Sequence, residues 1–391
     1  MLHILLILAI FISRRGIERI MLRVLQVIGK MDRAGAETII MNIYRNIDRS
    51  KVQFDFMVFS SEKGDYDDEI LQLGGNIYRM TAFKGYNYLR LCEEFRKFFE
   101  KYPYKVVHGH IGSLAPAYLK AAKKRGAYTI AHSHATKSNR KLENFIFNIF
   151  SYRVRYIANY FFACSKQAGI DRFGNKIINS ERFEVVNNAI DSEKYKYTLE
   201  RHEKLKKKYG LENKLIIGHV GRFSPEKNHK FVIDVFEEIY IKDKKSILML
   251  AGRGIEEESI KKYVSEKCLE KQVMFLGVRN DIPDLMNLFD VFLFPSFYEG
   301  LGIVGIEAQA AGLPCFFSEY IPDEAVVTKH VWKQSLKKGA SKWADEIIKI
   351  ISGFQRENSK SNIVKAGYDI ENIANELQCF YLNKVGENKD I

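Results

Sequence analysis

Seven prolines in 391 residues leave no material for a proline-rich architecture. The five cysteines, Cys92, Cys164, Cys268, Cys315 and Cys379, are odd in number, widely spaced and never form a C-x-x-C pair. That excludes a disulfide framework and a cysteine-ligated zinc site, and reads as a reduced, cytosolic chain. No segment is low-complexity, and no internal repeat recurs at a period of roughly 20–50 residues, which excludes solenoids and propellers. The longest apolar stretch, residues 2–12 (LHILLILAIFI), has eleven residues, well short of the about 20 needed to span a bilayer.

What is there is the composition of a core-forming chain with length for two domains: 46% hydrophobic and 28% charged residues. The net charge of +13 is unevenly placed. Residues 1–200 hold 32 basic and 20 acidic groups, against 29 and 28 in the remainder. Within residues 101–160, eleven Lys and Arg face the single acid Glu143.

Residues 1–20 lack a basic region ahead of their apolar stretch and a small-residue cleavage site, which argues against a signal peptide. Two readings stand: a membrane-surface anchor, or residues upstream of the start used by the cell. Met21 directly precedes a clean strand, which favours the second.

From Met21 onward, short apolar runs alternate with helix-length amphipathic segments. Leu22–Ile28, Phe54–Phe59, Asn76–Met80, Val106–His110, Tyr128–His132, Tyr160–Cys164 and Phe183–Val186 read as strands, with helices at Glu37–Ile47, Tyr88–Lys101 and Leu114–Arg125 among them. The pattern then restarts with strands at Leu215–Val220, Ser246–Ala251, Val273–Leu276, Val291–Pro295 and Cys315–Ser318. Helices are expected at Asn228–Tyr240, Glu256–Lys267 and Gly305–Ala311. Such alternation predicts an α/β protein with two doubly wound, mainly parallel sheets. The expected division is an N-terminal domain over 21–192, a charged linker or hinge over 193–212, a second domain over 213–369, and a C-terminal helix and tail over 370–391. The C-terminal helix suits either domain.

In open parallel sheets ligands bind beyond the carboxyl ends of strands, so the residues following each strand carry the functional signal. The first such loop runs from Gly29 to Glu37 and includes Gly35; it is not G-x-G-x-x-G, and by itself is an ordinary turn into a helix. Two strands end in histidine pairs, His108-Gly109-His110 and His132-Ser133-His134. No cysteine and few carboxylates accompany them, so hydrogen bonding to sugar hydroxyls or a phosphate suits them better than a metal. The strand Leu215–Val220 leads into Gly221-Arg222-Phe223-Ser224-Pro225-Glu226-Lys227-Asn228. Two cations beside a helix N-terminus neutralise a pyrophosphate without a divalent metal. The densest constellation is Phe294–Glu307, a strand running through glycine-rich turns into an apolar helix. On one continuous helix Glu299 and Glu307 would stand about 80° apart, but Gly300 and Gly302 favour a loop for the first and the helix for the second. Amides near Gly302, Ile303 and Val304 would lie between the two acids, and Glu307, in an apolar helix, suits a ligand's diol.

These residues resemble the retaining glycosyltransferases of family 4, which have the GT-B architecture of two facing Rossmann-like domains with an interdomain cleft. The likeness covers residues 21 to about 383. Glu299 and Glu307, within FPSFYEGLGIVGIEAQAAGLP, stand as the family's paired glutamates, and Arg222 and Lys227, within GRFSPEKN, as its basic pair. Gly35-Ala36-Glu37 matches the N-terminal glycine loop, with Ala34 in place of one glycine, and Asn188-Ala189-Ile190-Asp191 the interdomain segment, with Ala189 in place of glycine. The stretch IAHSHATKS is similar to that of bacterial enzymes building capsular or exopolysaccharide repeat units.

The resemblance implies a hexosyl- or N-acetylhexosaminyltransferase that uses a nucleoside-diphosphate sugar, with a leaning to uridine. The acceptor would be a growing, lipid-linked saccharide or oligosaccharide, and the anomeric configuration would be retained without a metal or other cofactor. Arg222 and Lys227 would hold the diphosphate beside Gly221, Glu307 the ribose, and Glu299 the sugar's hydroxyls. Gly302, Ile303 and Val304 would offer amides, and Val278 and Arg279 would flank the base. His134, with His132 as competitor, would face the reacting sugar near Gly35. A nucleotide-sugar epimerase of the same fold is the nearest alternative. Nucleic-acid binding, invited by a pI near 9.2, lacks a recognised module. The basic first half instead suits an enzyme in the cytoplasm, peripheral on the anionic inner face of the membrane.

Overall fold

The apolar runs of the first half form a single parallel sheet because each is short, rich in β-branched and aromatic residues, and followed by a helix that returns the chain to the sheet's starting edge. The computed structural model describes residues 21–33, 35–134 and 152–386. Residues 1–20, with both readings made of them, lie outside that set. The chain divides into two units, Met1–Asn187 with Glu371–Ile391, and Asn188–Ile370.

In the first unit, β1 (Leu22–Ile28), β2 (Val52–Val58), β3 (Ile77–Arg79), β4 (Val106–Gly109), β5 (Tyr128–Ser133), β6 (Tyr160–Ala163) and β7 (Phe183–Val185) lie in the order β3-β2-β1-β4-β5-β6-β7. Strand order therefore reverses between β1 and β4, which opens a crevice at their carboxyl ends. Asp55, fully buried in β2, locks the other side of the sheet. It accepts from Arg23 on β1 through Nε at 2.7 Å and Nη2 at 2.5 Å, from the Asn76 amide at 2.7 Å and from the Tyr104 hydroxyl at 2.7 Å. A buried carboxylate with its acceptor positions filled holds neighbouring strands in register without an uncompensated charge.

The second unit repeats the plan. β8 (Leu215–Val220), β9 (Ser246–Ala251), β10 (Val273–Gly277), β11 (Val291–Phe294), β12 (Cys315–Ser318) and β13 (Val331–Gln334) run in the order β10-β9-β8-β11-β12-β13. The reversal here falls between β8 and β11. Gly218 is required at this seam, since a Cβ there would sit 2.0 Å from the Phe289 ring. β13 has no counterpart in the sequence reading: at the sheet's edge its four residues, Val-Trp-Lys-Gln, need bury only part of their surface and so carry no apolar run.

Two segments bear on the expected division. The segment 193–212, read as a linker, belongs to the body of the second unit. Its helix Leu199–Tyr209, closed by Gly210 at φ +67°, is tied down by Arg201 to Asp284 at 2.6 Å, by Lys206 to Asp290 at 2.9 Å, and by His202 Nδ1 to the Asn287 carbonyl at 2.8 Å. The helix Ile370–Gly386 returns to the first unit, burying Ile373, Ala374, Leu377 and Tyr381 on one stripe. There the Asp48 amide donates to Gln378 Oε1 at 2.9 Å, and the Phe380 ring lies 4.7 Å from that of Tyr160. No helix among the described residues is long and apolar enough to cross a membrane.

Arg356 closes the second unit from beneath. Its guanidinium donates to the carbonyls of Ala311, Asn287, Phe289 and Met286 and lies 4.1 Å from the centroid of the Tyr197 ring. Arg356→Leu should strand these carbonyls and lower stability by about 3 kcal/mol, read as a reduced urea midpoint for the second unit's transition.

Candidate active site

In the second unit the loops after β8 and β11 meet beside the strand-order reversal. The β8 loop turns at a short 3-10 segment, Pro225–Lys227, and at Asn228, which holds φ +56° before the helix His229–Lys242 begins. Asparagine tolerates this left-handed conformation and secures it here: Asn228 Nδ2 donates to the Pro295 carbonyl at 3.1 Å. The Phe297 amide donates back to the Glu226 carbonyl at 2.8 Å. The two loops are thus braced to one another by one side-chain and one backbone hydrogen bond.

Across that brace Lys227 Nζ lies 2.5 Å from Glu299 Oε1, with the two side chains 17% and 10% exposed. The ammonium also sits 5.5 Å from the centroid of the Phe294 ring. Arg222, by contrast, is exposed and has no ion-pair partner among the described residues. Gly221 allows this packing, since a Cβ there would be 3.2 Å from His219 Nε2 and 3.5 Å from Lys227 Cδ. Gly302, at φ +81°, leads into the helix Ile303–Ala310, and a Cβ on it would lie 2.8 Å from the Phe294 ring. The first amides of that helix, at Ile303 and Val304, have no carbonyl a turn earlier to accept from them and are open to an anion or hydroxyl.

Glu307 stands inside the same helix. Burial pushes its carboxyl up to about 7, a rise that the Tyr195 hydroxyl, donating to Oε1 at 2.7 Å, partly offsets. On the neighbouring edge Val278 is 69% exposed, and Arg279 is turned back onto Asp281 at 2.5 Å and Tyr209 at 3.1 Å.

In the first unit, Gly35 opens the helix Gly35–Asn46, and a Cβ on it would meet nothing within 4 Å. The Gly29–Glu37 loop is tied to its neighbour through the Phe59 amide to the Gly29 carbonyl at 2.7 Å and the Tyr66 amide to the Met31 carbonyl at 2.9 Å. At the carboxyl ends of β4 and β5 the two histidine pairs form one cluster. His108 Nε2 is 3.2 Å from His132 Nδ1, and His110 Nδ1 is 2.7 Å from His134 Nε2. His108 Nδ1 meets the Tyr381 hydroxyl at 2.7 Å, and His110 Nε2 meets Gln26 Oε1 at 2.9 Å. Burial holds all four rings neutral at pH 7, with His134 pushed down to about 4. Ring nitrogens of His108, His110 and His132 fall within 4.8 Å of one another, a spacing that suits a metal ion. Most of those nitrogens, however, are already engaged with each other, Gln26 or Tyr381.

Against known proteins, residues 33–194 match the Glycosyltransferase Family 4 model and residues 201–369 the model for Glycosyl transferases group 1. EpsF of Bacillus subtilis (strain 168), assigned to the glycosyltransferases, is 34% identical over 358 residues, covering 89% of this chain and 93% of that one. The chain belongs to the family 4 glycosyltransferases. The capsular polysaccharide biosynthesis glycosyltransferase CapH of Staphylococcus aureus is 26% identical over 93% of this chain and 99% of its own. The crystal structure of HepE from Anabaena in complex with UDP aligns with a TM-score of 0.74 at 20% identity, over 93% of this chain and all of that one. The fold is GT-B.

Of the residues singled out from the sequence of this glycosyltransferase, Gly221, Lys227, Glu299 and Gly302 are brought together in the second unit, with Arg222 on the β8 loop and Glu307 in the helix that Gly302 opens. Val278 and Arg279 follow β10, with the Arg279 side chain engaged elsewhere. Gly35, His132 and His134 lie in the first unit. The sequence reading missed Tyr195, Asn228 and Gln26. Tyr195 is 112 positions from Glu307, and no local pattern marks such a partner. Gly300 to Gly305 also has the glycine spacing of a dinucleotide fingerprint, but it follows the fourth strand of its sheet, and Gly302 takes the left-handed turn beside Glu299.

Because the folded Glu307 carboxyl binds its proton more tightly than the unfolded one, its contribution to stability is lost as pH rises from about 4.5 through 7. Without nucleotide, the wild-type melting temperature should fall by a few degrees more between pH 5 and 8 than that of Glu307→Gln, about the scale of one such shift. Parallel curves in differential scanning fluorimetry would contradict this.

Proposed function

We propose that the enzyme transfers a hexosyl or N-acetylhexosaminyl group from a UDP-linked donor to a lipid-diphosphate-linked saccharide, with retention and without a divalent metal, in building a bacterial surface polysaccharide. The observation that carries this reading is the Lys227–Glu299 pair set beside the exposed Arg222 and the open helix amides at Ile303 and Val304. CapH, named for capsular polysaccharide biosynthesis, supports the surface-polysaccharide part of this reading, and HepE, crystallised with UDP, supports the donor class.

On this reading, Lys227 and Glu299 neutralise one another until a diphosphate arrives. The ammonium then turns to the phosphate, joining Arg222, and the freed carboxylate accepts from the sugar's hydroxyls. Glu307 takes the ribose diol in its ionised form, which two hydroxyl donors stabilise. The exposed backbone at Val278 meets the base. The bond between the anomeric carbon and the β-phosphate oxygen breaks, and the acceptor oxygen bonds on the face the phosphate leaves. The acceptor's proton passes to the departing phosphate. Arg222, Lys227 and the helix amides stabilise the charge that develops there, so the chain's own cations supply what a metal would. The excess of Lys and Arg in the first 200 residues draws the enzyme, from the cytoplasm, to an anionic membrane surface bearing the acceptor.

A screen of UDP-sugars should find one whose turnover falls about a hundredfold or more in Lys227→Ala and in Glu299→Ala, survives EDTA, and yields product with the donor's anomeric configuration by proton NMR. An inverted product, or full activity in Lys227→Ala, would sink the reading. The protein should also sediment with vesicles containing phosphatidylglycerol and be released by salt at about 0.5 M, where the screening length is a few Å. Equal binding to neutral vesicles in that salt would argue against electrostatic attachment.

A further inference from the structure

Glu307 is partly buried in an apolar helix, and among the described residues no cation pairs with it. Its side-chain partner there is the Tyr195 hydroxyl, which donates to Oε1 at 2.7 Å. Burial, and after it the neighbouring carboxylate, raise the pKa of that hydroxyl, so Tyr195 keeps its proton and stays a donor. The terminal torsion of a glutamate is a soft, roughly two-fold rotor, so packing around its methylenes does not fix where the two oxygens point. A hydrogen bond to one of them does.

The donor is itself held firmly. Tyr195 ends the short helix Ser192–Tyr195 and is 7% exposed. It packs in the same buried cluster as Ile306 and Ala308, which flank Glu307 in sequence. Its carbonyl accepts from Nδ2 of the fully buried Asn287 at 3.2 Å. At the start of the turn the Ser192 hydroxyl donates to Asp369. Just before it, the Ile190 amide donates to the Tyr368 carbonyl and the Ile190 carbonyl accepts from the Ile370 amide, each at 2.9 Å. All of these residues belong to the second unit, as do Arg222, Lys227 and Val278. A carboxylate oxygen anchored to so rigid a partner is ordered during folding rather than on binding, which favours affinity.

We propose that Tyr195 is a positioning residue for the nucleotide: by holding Oε1 of Glu307 it fixes the plane of the carboxylate and leaves Oε2 to the ribose diol. Oε2 has no hydrogen-bond partner among the described residues. An ionised carboxylate only accepts, so a donor already in place on one oxygen directs the hydroxyls of the ligand to the other. The Tyr195 bond also favours the ionised form that those hydroxyls need, against the burial that raises the carboxyl to about 7. The ribose as partner rests on the function proposed above; the anchoring of Oε1 rests on the hydrogen bond alone. A ribose contact is made equally in the ground and transition states, so its loss should raise KM and spare kcat.

The test is calorimetric titration of the full-length protein, at a single pH, with UDP and with 2′,3′-dideoxyuridine diphosphate, which lacks the diol. The wild type should bind UDP about tenfold or more the tighter of the two. Tyr195→Phe, which removes the hydroxyl and keeps the ring, should weaken UDP about tenfold and leave the dideoxy nucleotide within about twofold. With a nucleotide sugar that is turned over, KM should rise by a similar factor while kcat stays within about twofold. Equal losses with both nucleotides would mean that the hydroxyl serves the fold and not the ribose, and undiminished UDP affinity would mean that it serves neither; either result overturns the proposal. A wild-type preference for UDP that persists unchanged in Tyr195→Phe would overturn the proposal alone. Equal binding of the two nucleotides by the wild type, with Glu307→Ala no weaker for UDP, would overturn the ribose reading and the proposal with it. Should GDP or ADP bind more tightly than UDP, the donor base of the proposed function falls, and the same comparison with that nucleotide and its dideoxy form decides the role of Tyr195.

Discussion

The ion pair between Lys227 and Glu299, 2.5 Å apart and largely shielded from water, is the interaction on which the second unit's site depends. Two strand ends can bring their loops together at the reversal in strand order only if the charges they carry are matched there, because a lone ammonium or carboxylate in so dry a place would cost several kcal/mol. The cross-brace of Asn228 to Pro295 and Phe297 to Glu226 holds the backbones close enough for that match. The glycines at 221 and 302 follow from the same closeness, since side chains there would strike His219, Lys227 or Phe294. A site closed by its own ion pair is poised for an anionic ligand, which can replace the carboxylate as the cation's partner.

The two units repeat one topology and solve the polar-group problem in opposite ways. The second places full charges at its reversal point and offsets them pairwise. The first places four neutral imidazoles there, hydrogen-bonded to one another, to Gln26 and to Tyr381, with burial keeping a second proton off each ring. On the proposed reading, charge suits a diphosphate and directional neutral hydrogen bonds suit hydroxyls. Glu307 lies between these strategies: its carboxyl, raised to about 7 and contacted by Tyr195, is ready to ionise when a ligand supplies donors.

The strands were legible where burial on both faces forces a continuous apolar run. Leu22–Ile28, Leu215–Val220, Ser246–Ala251 and Cys315–Ser318 have the ends that sequence reading assigned them. β13 escaped notice because an edge strand needs only half of that signal. The segment 193–212 misled because its anchors are charges, Arg201 and Lys206, whose partners Asp284 and Asp290 are some 80 positions away. In the site, residues that announce themselves by spacing near a glycine turn, such as Glu299 and Lys227, were visible. Gln26 was not, since one glutamine in an apolar strand has no pattern to join.

By itself, the sequence determined that the chain makes two parallel α/β units, where each unit's loops fall, and which of those loops carry cations, carboxylates and histidines. These follow from periodicity, turn residues and composition, all local properties. Only the tertiary structure decided that Lys227 meets Glu299, that Tyr195 contacts Glu307, that the last helix returns to the first unit, and that Gln26 meets His110. Each of those is a contact between distant parts of the chain, fixed by strand order and helix packing, and hydrogen-bond direction has no meaning until the partners are in place.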